Sequence, residues 1–277
     1  MVVSVAPNRR GGFTLIELSI VLVVIGLLIG GILVGRDMIR NTQGQSVITT
    51  VQTYMQVDQQ FQEKYGAWPG DMANATAYWG VAGGNAGDNY TASCYALLGS
   101  GPQTCNGNGN GRIGFPGFNN DASSNEMFRA WQHLANAGFI QGSYTGVAGS
   151  VNAETAVIGS NVPASKLKGA GFSIKYEGIW AAGDANLFPG NYGHALFFGA
   201  QSASTGWETL YPVLTTQEAS STDQKIDDGL PGSGNVMSLE NGSYFTPACI
   251  TSGNAATARY ALSSGGSLCS LIFITGF

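Results

Sequence analysis

From Phe13 to Gly35 every position is apolar or small except Thr14, Glu17 and Ser19. About 23 residues of helix extend roughly 35 Å, enough to cross a ~30 Å hydrocarbon core. Beyond Gly35 the pattern changes. Ile48, Val51, Met55, Phe61 and Tyr65 recur at helical spacing apart from one longer gap, with Gln, Thr and Ser on the other face. These two patterns predict one helix from Phe13 to Tyr65, about 80 Å long, whose second half packs into a globular head. Gly66 and Pro69-Gly70 stop it, and Asp71 is placed to cap a short helix running to about Trp79.

Residues 80–122 read as a loop-rich insert. Asn106, Asn108 and Asn110 have the spacing that opens a calcium loop, but they are neutral amides and the twelfth position is Gly117 rather than glutamate. A Gly/Asn turn fits these residues better. No GK[ST] follows, so the segment is not a phosphate loop. A helix starts near Glu126, capped by Ser124 or Asn125, buries Met127, Phe128, Trp131 and Leu134, and ends at Gly138. After residue 165 the pattern turns β-like. Phe172, Ile174 and Tyr176 alternate with Ser173 and Lys175, residues 194–200 and 269–276 are apolar and β-prone, and Val236–Leu239 and Ala258–Leu262 complete a sheet. Thr215–Ile226 reads as a short helix. The fold class is α+β: a long N-terminal helix, then a head built on an antiparallel sheet. The division is residues 1–12, the helix 13–65 with 13–35 as the membrane-crossing part, and the head 66–277.

Composition narrows the function classes. The chain has 277 residues, 41 glycines, 10% charged residues and a net charge of −5. Arg9 and Arg10 are its only charges before Phe13, so the remainder is more acidic still, which argues against nucleic acid as a partner. Those arginines hold the N-terminus in the cytoplasm by the positive-inside rule and place the rest outside the inner membrane. Cys94, Cys105, Cys249 and Cys269 form no CxxC pair, which disfavours zinc. Of three pairings, the short loops Cys94–Cys105 and Cys249–Cys269 fit an oxidising compartment best; four buried thiols is the alternative.

The N-terminal segment allows three readings: a secretory signal peptide, a plain membrane anchor, or a cleaved leader. The apolar run is long for a signal peptide and no A-x-A site ends it. A plain anchor leaves Gly11-Gly12 and Glu17 unexplained. Gly12-Phe13-Thr14-Leu15-Ile16-Glu17 resembles the cleavage and methylation signature of type IV prepilins and type II secretion pseudopilins. The resemblance implies a basic leader cut after Gly12, a methylated amine on Phe13, and Glu17 as the fifth residue of the cleaved chain. It also implies a prepilin peptidase, an assembly ATPase and an inner-membrane platform protein as partners, and a sheet wrapped on the outer half of the first helix. Glu17 is costly among apolar helices unless paired; the family's partner is the Phe13 ammonium of a neighbouring subunit, a cation created only by cleavage, which fixes register. Gly26, Gly30, Gly31 and Gly35 permit close helix approach. Many members carry proline where this chain has Val34, so local melting here would rest on those glycines.

The implied function is structural: a pilus or pilus-like filament subunit, an inner-membrane precursor that ends in a cell-surface pilus or a periplasmic pseudopilus. Alternatives are a secretion pseudopilin and an anchored binding protein that forms no filament. The large head with two disulfides favours a pilin or minor pilin. No enzyme is expected: His133 and His194 are the only histidines and no G-x-S-x-G elbow occurs. Tyr65-Gly66 with Pro69-Gly70-Asp71, and Trp131-x-His133-Leu134, resemble features of a subset of long prepilin-like proteins. Asp227 and Asp228, beside Gly229 and Pro231-Gly232, can either hold calcium or close a helix end and turn. Trp79, Tyr90, Tyr95, Trp180, Tyr192 and Trp207 read as loop packing residues or a partner surface.

Overall fold

The computed structural model describes residues 12–84, 101–114, 126–152, 154–181, 187–202, 206, 208–239 and 249–277. Helix α1 spans Leu15–Tyr65. It holds no proline and runs unbroken through its glycines. Thr42, Thr49, Thr50 and Thr53 would weaken a helix through their β-branching, but each hydroxyl donates to the carbonyl four residues back. The helix stops where Gly66 turns to φ +71° and donates its N–H to Gln62 O at 2.8 Å.

The chain divides into two compact units, one ending at Gln43 and one beginning at Gly44. In the first, the large apolar side chains of α1 from Leu15 to Ile39 are all exposed. In the second, Val47, Ile48, Val51, Val57 and Phe61 are buried in the core of the head.

Within the head, α2 spans Ala75–Trp79, α3 Glu126–Asn136 and α4 Thr216–Ile226. The strands are β1 Ala170–Trp180, β2 Gly190–Ala200, β3 Val236–Ser238 and β4 Leu271–Ile274. They form one antiparallel sheet in the order β1-β2-β4-β3. The fold is therefore the α+β one that the pattern predicts. Tyr54 of α1 packs edge-on against Trp131 of α3 and Phe172 of β1, so α1, α3 and the sheet share one core.

Met127, Phe128, Trp131 and Leu134 are all buried as the helical stripe requires. The α3 caps Ser124 and Asn125 lie outside the described residues. Gly138 turns left-handed and the Phe139 N–H reaches back to Leu134 O at 2.9 Å, closing α3.

Three expectations need correction. Asp71 does not cap α2. The residue before α2 is Asn74, with no side-chain cap, because Asp71 is buried and accepts N–H groups from Asn110 and Gly111 at 2.9 Å each. Ala258–Leu262 is not a strand. It makes one bridge, Tyr260 with Ile250, after a turn in which Ala258 and Thr257 donate to Asn254 O. The alternation in β1 does not separate a core face from a wet one. Ser173 and Lys175 are buried too, because the segment around Thr209, paired to β2 through Tyr211, covers them.

Candidate functional site

Glu17 occupies the third position of α1, and Thr14 precedes the helix. Glu17 N–H donates to Thr14 Oγ1 at 3.2 Å, and Thr14 N–H donates to a Glu17 carboxylate oxygen at 2.8 Å. The Thr14 hydroxyl also donates to that oxygen, at 2.9 Å. This reciprocal cap satisfies two donors that a helix start otherwise leaves open. The T-x-x-E spacing of Thr14 and Glu17 is its signal in the sequence. The cap leaves the carboxylate fully exposed, beside Phe13 at 91% exposure and an exposed Gly12 with open space around it. An acid is thus held at the tip of an uncovered apolar helix.

Residues 7–33 match a family profile described as the prokaryotic N-terminal methylation motif. The match supports the resemblance of this N-terminus to prepilins and pseudopilins. The match takes in Gly12, Phe13 and Glu17 together with Gly26, Gly30 and Gly31, and ends before the head. No curated protein and no solved structure matches the chain. Such a motif implies processing by a prepilin peptidase and supports a pilin- or pseudopilin-like protein. The helix that carries it is long and apolar enough to cross a membrane, as a precursor inserted before assembly requires.

The head gathers the other singled-out residues into separate groups. In the loop of Asn106, Asn108 and Asn110, the amide oxygens accept backbone N–H groups of Thr76, Asn110 and Arg112 respectively, all at 2.8–2.9 Å. The loop lies so close to residues 70–71 that a Cβ on Gly107 would come within 2.2 Å of Gly70 O. Glu126 accepts N–H groups of Asn108 and Gly114 at 2.8 and 2.7 Å. The Gly/Asn segment is a turn stitched by side chains from elsewhere in the fold.

The histidines belong to the same stitching. His133 Nδ1 accepts the Gly70 N–H at 3.0 Å, which leaves the proton on Nε2, 2.9 Å from Thr104 Oγ1. Burial, with the Arg129 charge second, pushes the imidazole down to about 3. Thr104 donates its own hydroxyl to Gln132 at 2.6 Å, and both Thr104 and His133 are fully buried. The pair is therefore no nucleophile and base open to a substrate. His194 Nε2 accepts the Ile113 N–H at 3.0 Å and its Nδ1 lies 3.0 Å from Phe277 O. Burial lowers its pKa as well.

Asp227 and Asp228 lie at the end of α4, and the fold adds Asp223. One carboxylate oxygen from each falls within 4.8 Å of the others. Asp223 accepts from Tyr260 Oη at 2.8 Å and Gly229 N–H at 2.9 Å. Burial first, with Asp228 and Asp227 adding, pushes its carboxyl up to about 7. Asp227 accepts N–H groups of Asn235 and Val236, and Asp228 accepts from Leu230 N–H and the Ser233 hydroxyl. Gly234 is required here, since a Cβ would meet the Asp227 carboxylate. The turn is fully bonded, and its oxygens also suit a hard cation. Asp223 was missed although its i,i+4 spacing to Asp227 across the last turn of α4 was visible.

Cys249 and Cys269 are joined by a disulfide. Cys105 is buried and disulfide-bonded, while Cys94 lies outside the described residues. Tyr90, Tyr95 and Trp207 also lie outside them. Tyr192 is fully buried and donates to Phe188 O; Trp79 and Trp180 are half-buried against the core. One ionic group was not anticipated: buried Lys175 stands 2.9 Å from Glu177 and 2.5 Å from Glu208. Burial opposes its charge, but the two carboxylates more than offset that and keep it protonated.

Proposed function

We propose that the chain is the subunit of a type IV pilus or pilus-like filament. It is inserted in the inner membrane as a precursor, cut between Gly12 and Phe13, methylated on Phe13 and drawn into a fibre by an assembly ATPase and platform protein. Residues 1–12 are the leader, 13–65 the helix and 66–277 the head. The observation that carries this reading is an exposed apolar helix with one carboxylate at its start, inside a prepilin-type motif. Uncovered apolar surface of that length demands lipid or other helices. Among packed helices Glu17 needs a cation, and the Phe13 ammonium of a neighbour supplies it. The disulfide-bonded head supports a cell-surface pilin over a secretion pseudopilin. Within the head, the Asp223, Asp227 and Asp228 turn is our proposed calcium position.

Glu17→Gln tests the assembly role selectively. Glutamine can still close the cap with Thr14, so α1 starts as before, but the charge is gone. The variant is expected in the membrane fraction at wild-type level with sheared filaments absent. Wild-type filament yield contradicts the pairing.

A further inference from the structure

The inner half of α1 carries a carboxylate into the core. Asp58 sits on the stretch of α1 that carries the buried Val51, Val57 and Phe61 and is itself fully buried. Among the described residues, neither of its carboxylate oxygens has a hydrogen-bond partner. The polar groups on the elements that share this core have partners of their own or are neutral. On its own helix, Tyr54 lies one turn earlier and is electrostatically coupled to Asp58 and to Tyr144. Tyr144 donates to Gln141 O. On α3, Arg129 donates to Gln132, Glu126 is held by Asn108 and Gly114, and His133 by Gly70 and Thr104. Trp131, against Tyr54, has its indole N–H buried without an acceptor among the described residues. On β1, Lys175 lies under the segment around Thr209, away from Phe172 and α1, and is taken by Glu177 and Glu208. Burial alone therefore governs Asp58 and favours its neutral form.

An unpaired anion in such a place is strongly unfavourable, whereas a protonated carboxyl is tolerable. A leucine would serve packing better, and among the described residues nothing uses Asp58 as a hydrogen-bond or ion-pair partner. We propose that Asp58 is a proton-operated latch: protonated, it lets the inner half of α1 stay seated in the head; ionised, it loosens Val47–Phe61 from α3 and β1. Because the carboxyl is raised in the folded state, its contribution is complete below the ordinary aspartate range and is lost as pH rises through the folded value. The segment Val47–Phe61 is seated more firmly in acid and more loosely in alkali, so the acidity outside the cell tunes how tightly it is held in the core of the head.

Hydrogen–deuterium exchange on the full-length chain in detergent micelles at pH 5 and pH 8, corrected for intrinsic rates, tests this. In the wild type, protection of the peptide covering Val47–Phe61 is expected to fall about tenfold or more between the two values, while the β2 peptide holds. Asp58→Asn, neutral at both, is expected to abolish the loss at pH 8, leaving only the opposite, acid-side effect of His133, and Asp58→Leu gives the same comparison should the amide disturb folding. Unchanged protection of the α1 peptide in the wild type, equal loss in both peptides, or a loss of protection at pH 8 that survives in the variants overturns the latch.

Discussion

Asp71, Glu126, His133 and His194 act alike from four places in the sequence. Each accepts backbone N–H groups from the Gly70 turn or from the loop at residues 108–114. Buried N–H groups left without an acceptor each cost about 1–3 kcal/mol, so these side chains hold a loop that has little apolar content of its own. His133 can do this only when neutral. Its folded pKa is depressed, so its contribution is fully present above the unfolded value near 6.5 and is lost as pH falls toward about 3. His133→Gln is therefore expected to cost about 2–4 kcal/mol at pH 7.5, measured by denaturant unfolding, with the gap to wild type narrowing at pH 4.5. A gap that widens in acid contradicts the assignment of the proton to Nε2 alone. Little of this was legible beforehand. The pattern around Trp131-x-His133-Leu134 shows that the helix face is buried, but Gly70 is 63 positions away and no local spacing encodes that meeting. Asp71 read as a cap because caps are local, and its true donors lie 39 and 40 positions on.

At the scale of elements, local chemistry and sequence agree closely. The end of α1 at Gly66, the stripe of α3 and the span of α4 follow from periodicity and stop signals alone. Thr215 and Glu218 close a reciprocal cap on α4 of the same T-x-x-E form as Thr14 and Glu17 on α1. Strands were less secure. Ala258–Leu262 has β-prone residues but is claimed by the Asn254 turn and by the bond from Tyr260 to Asp223. The burial of Ser173 and Lys175 depends on a distant segment folding over β1, which alternation cannot show. The turn after α4 carries the calcium proposal. Millimolar calcium is expected to raise the melting temperature relative to chelator, by the equivalent of about 2.7 kcal/mol when free ion is a hundredfold above Kd, and Asp223→Asn should remove the effect. An unchanged midpoint leaves the turn as a helix end stitched by its own donors.

For the whole molecule, two facts from opposite ends of the scale decide the reading. A short segment, residues 7–33, carries the prepilin-type motif, and a long helix leaves its apolar surface uncovered in the isolated chain. The head has no matching relative among curated proteins or solved structures, so its α+β architecture rests on its own pattern of helices and strands. The central claim is that proteolysis after Gly12 creates the ammonium that Glu17 needs in the fibre. Intact-mass and N-terminal peptide mass spectrometry of the protein purified from its native cells tests it directly. The account predicts a chain that begins with N-methylated Phe13; a chain that still carries Met1–Gly12 contradicts it.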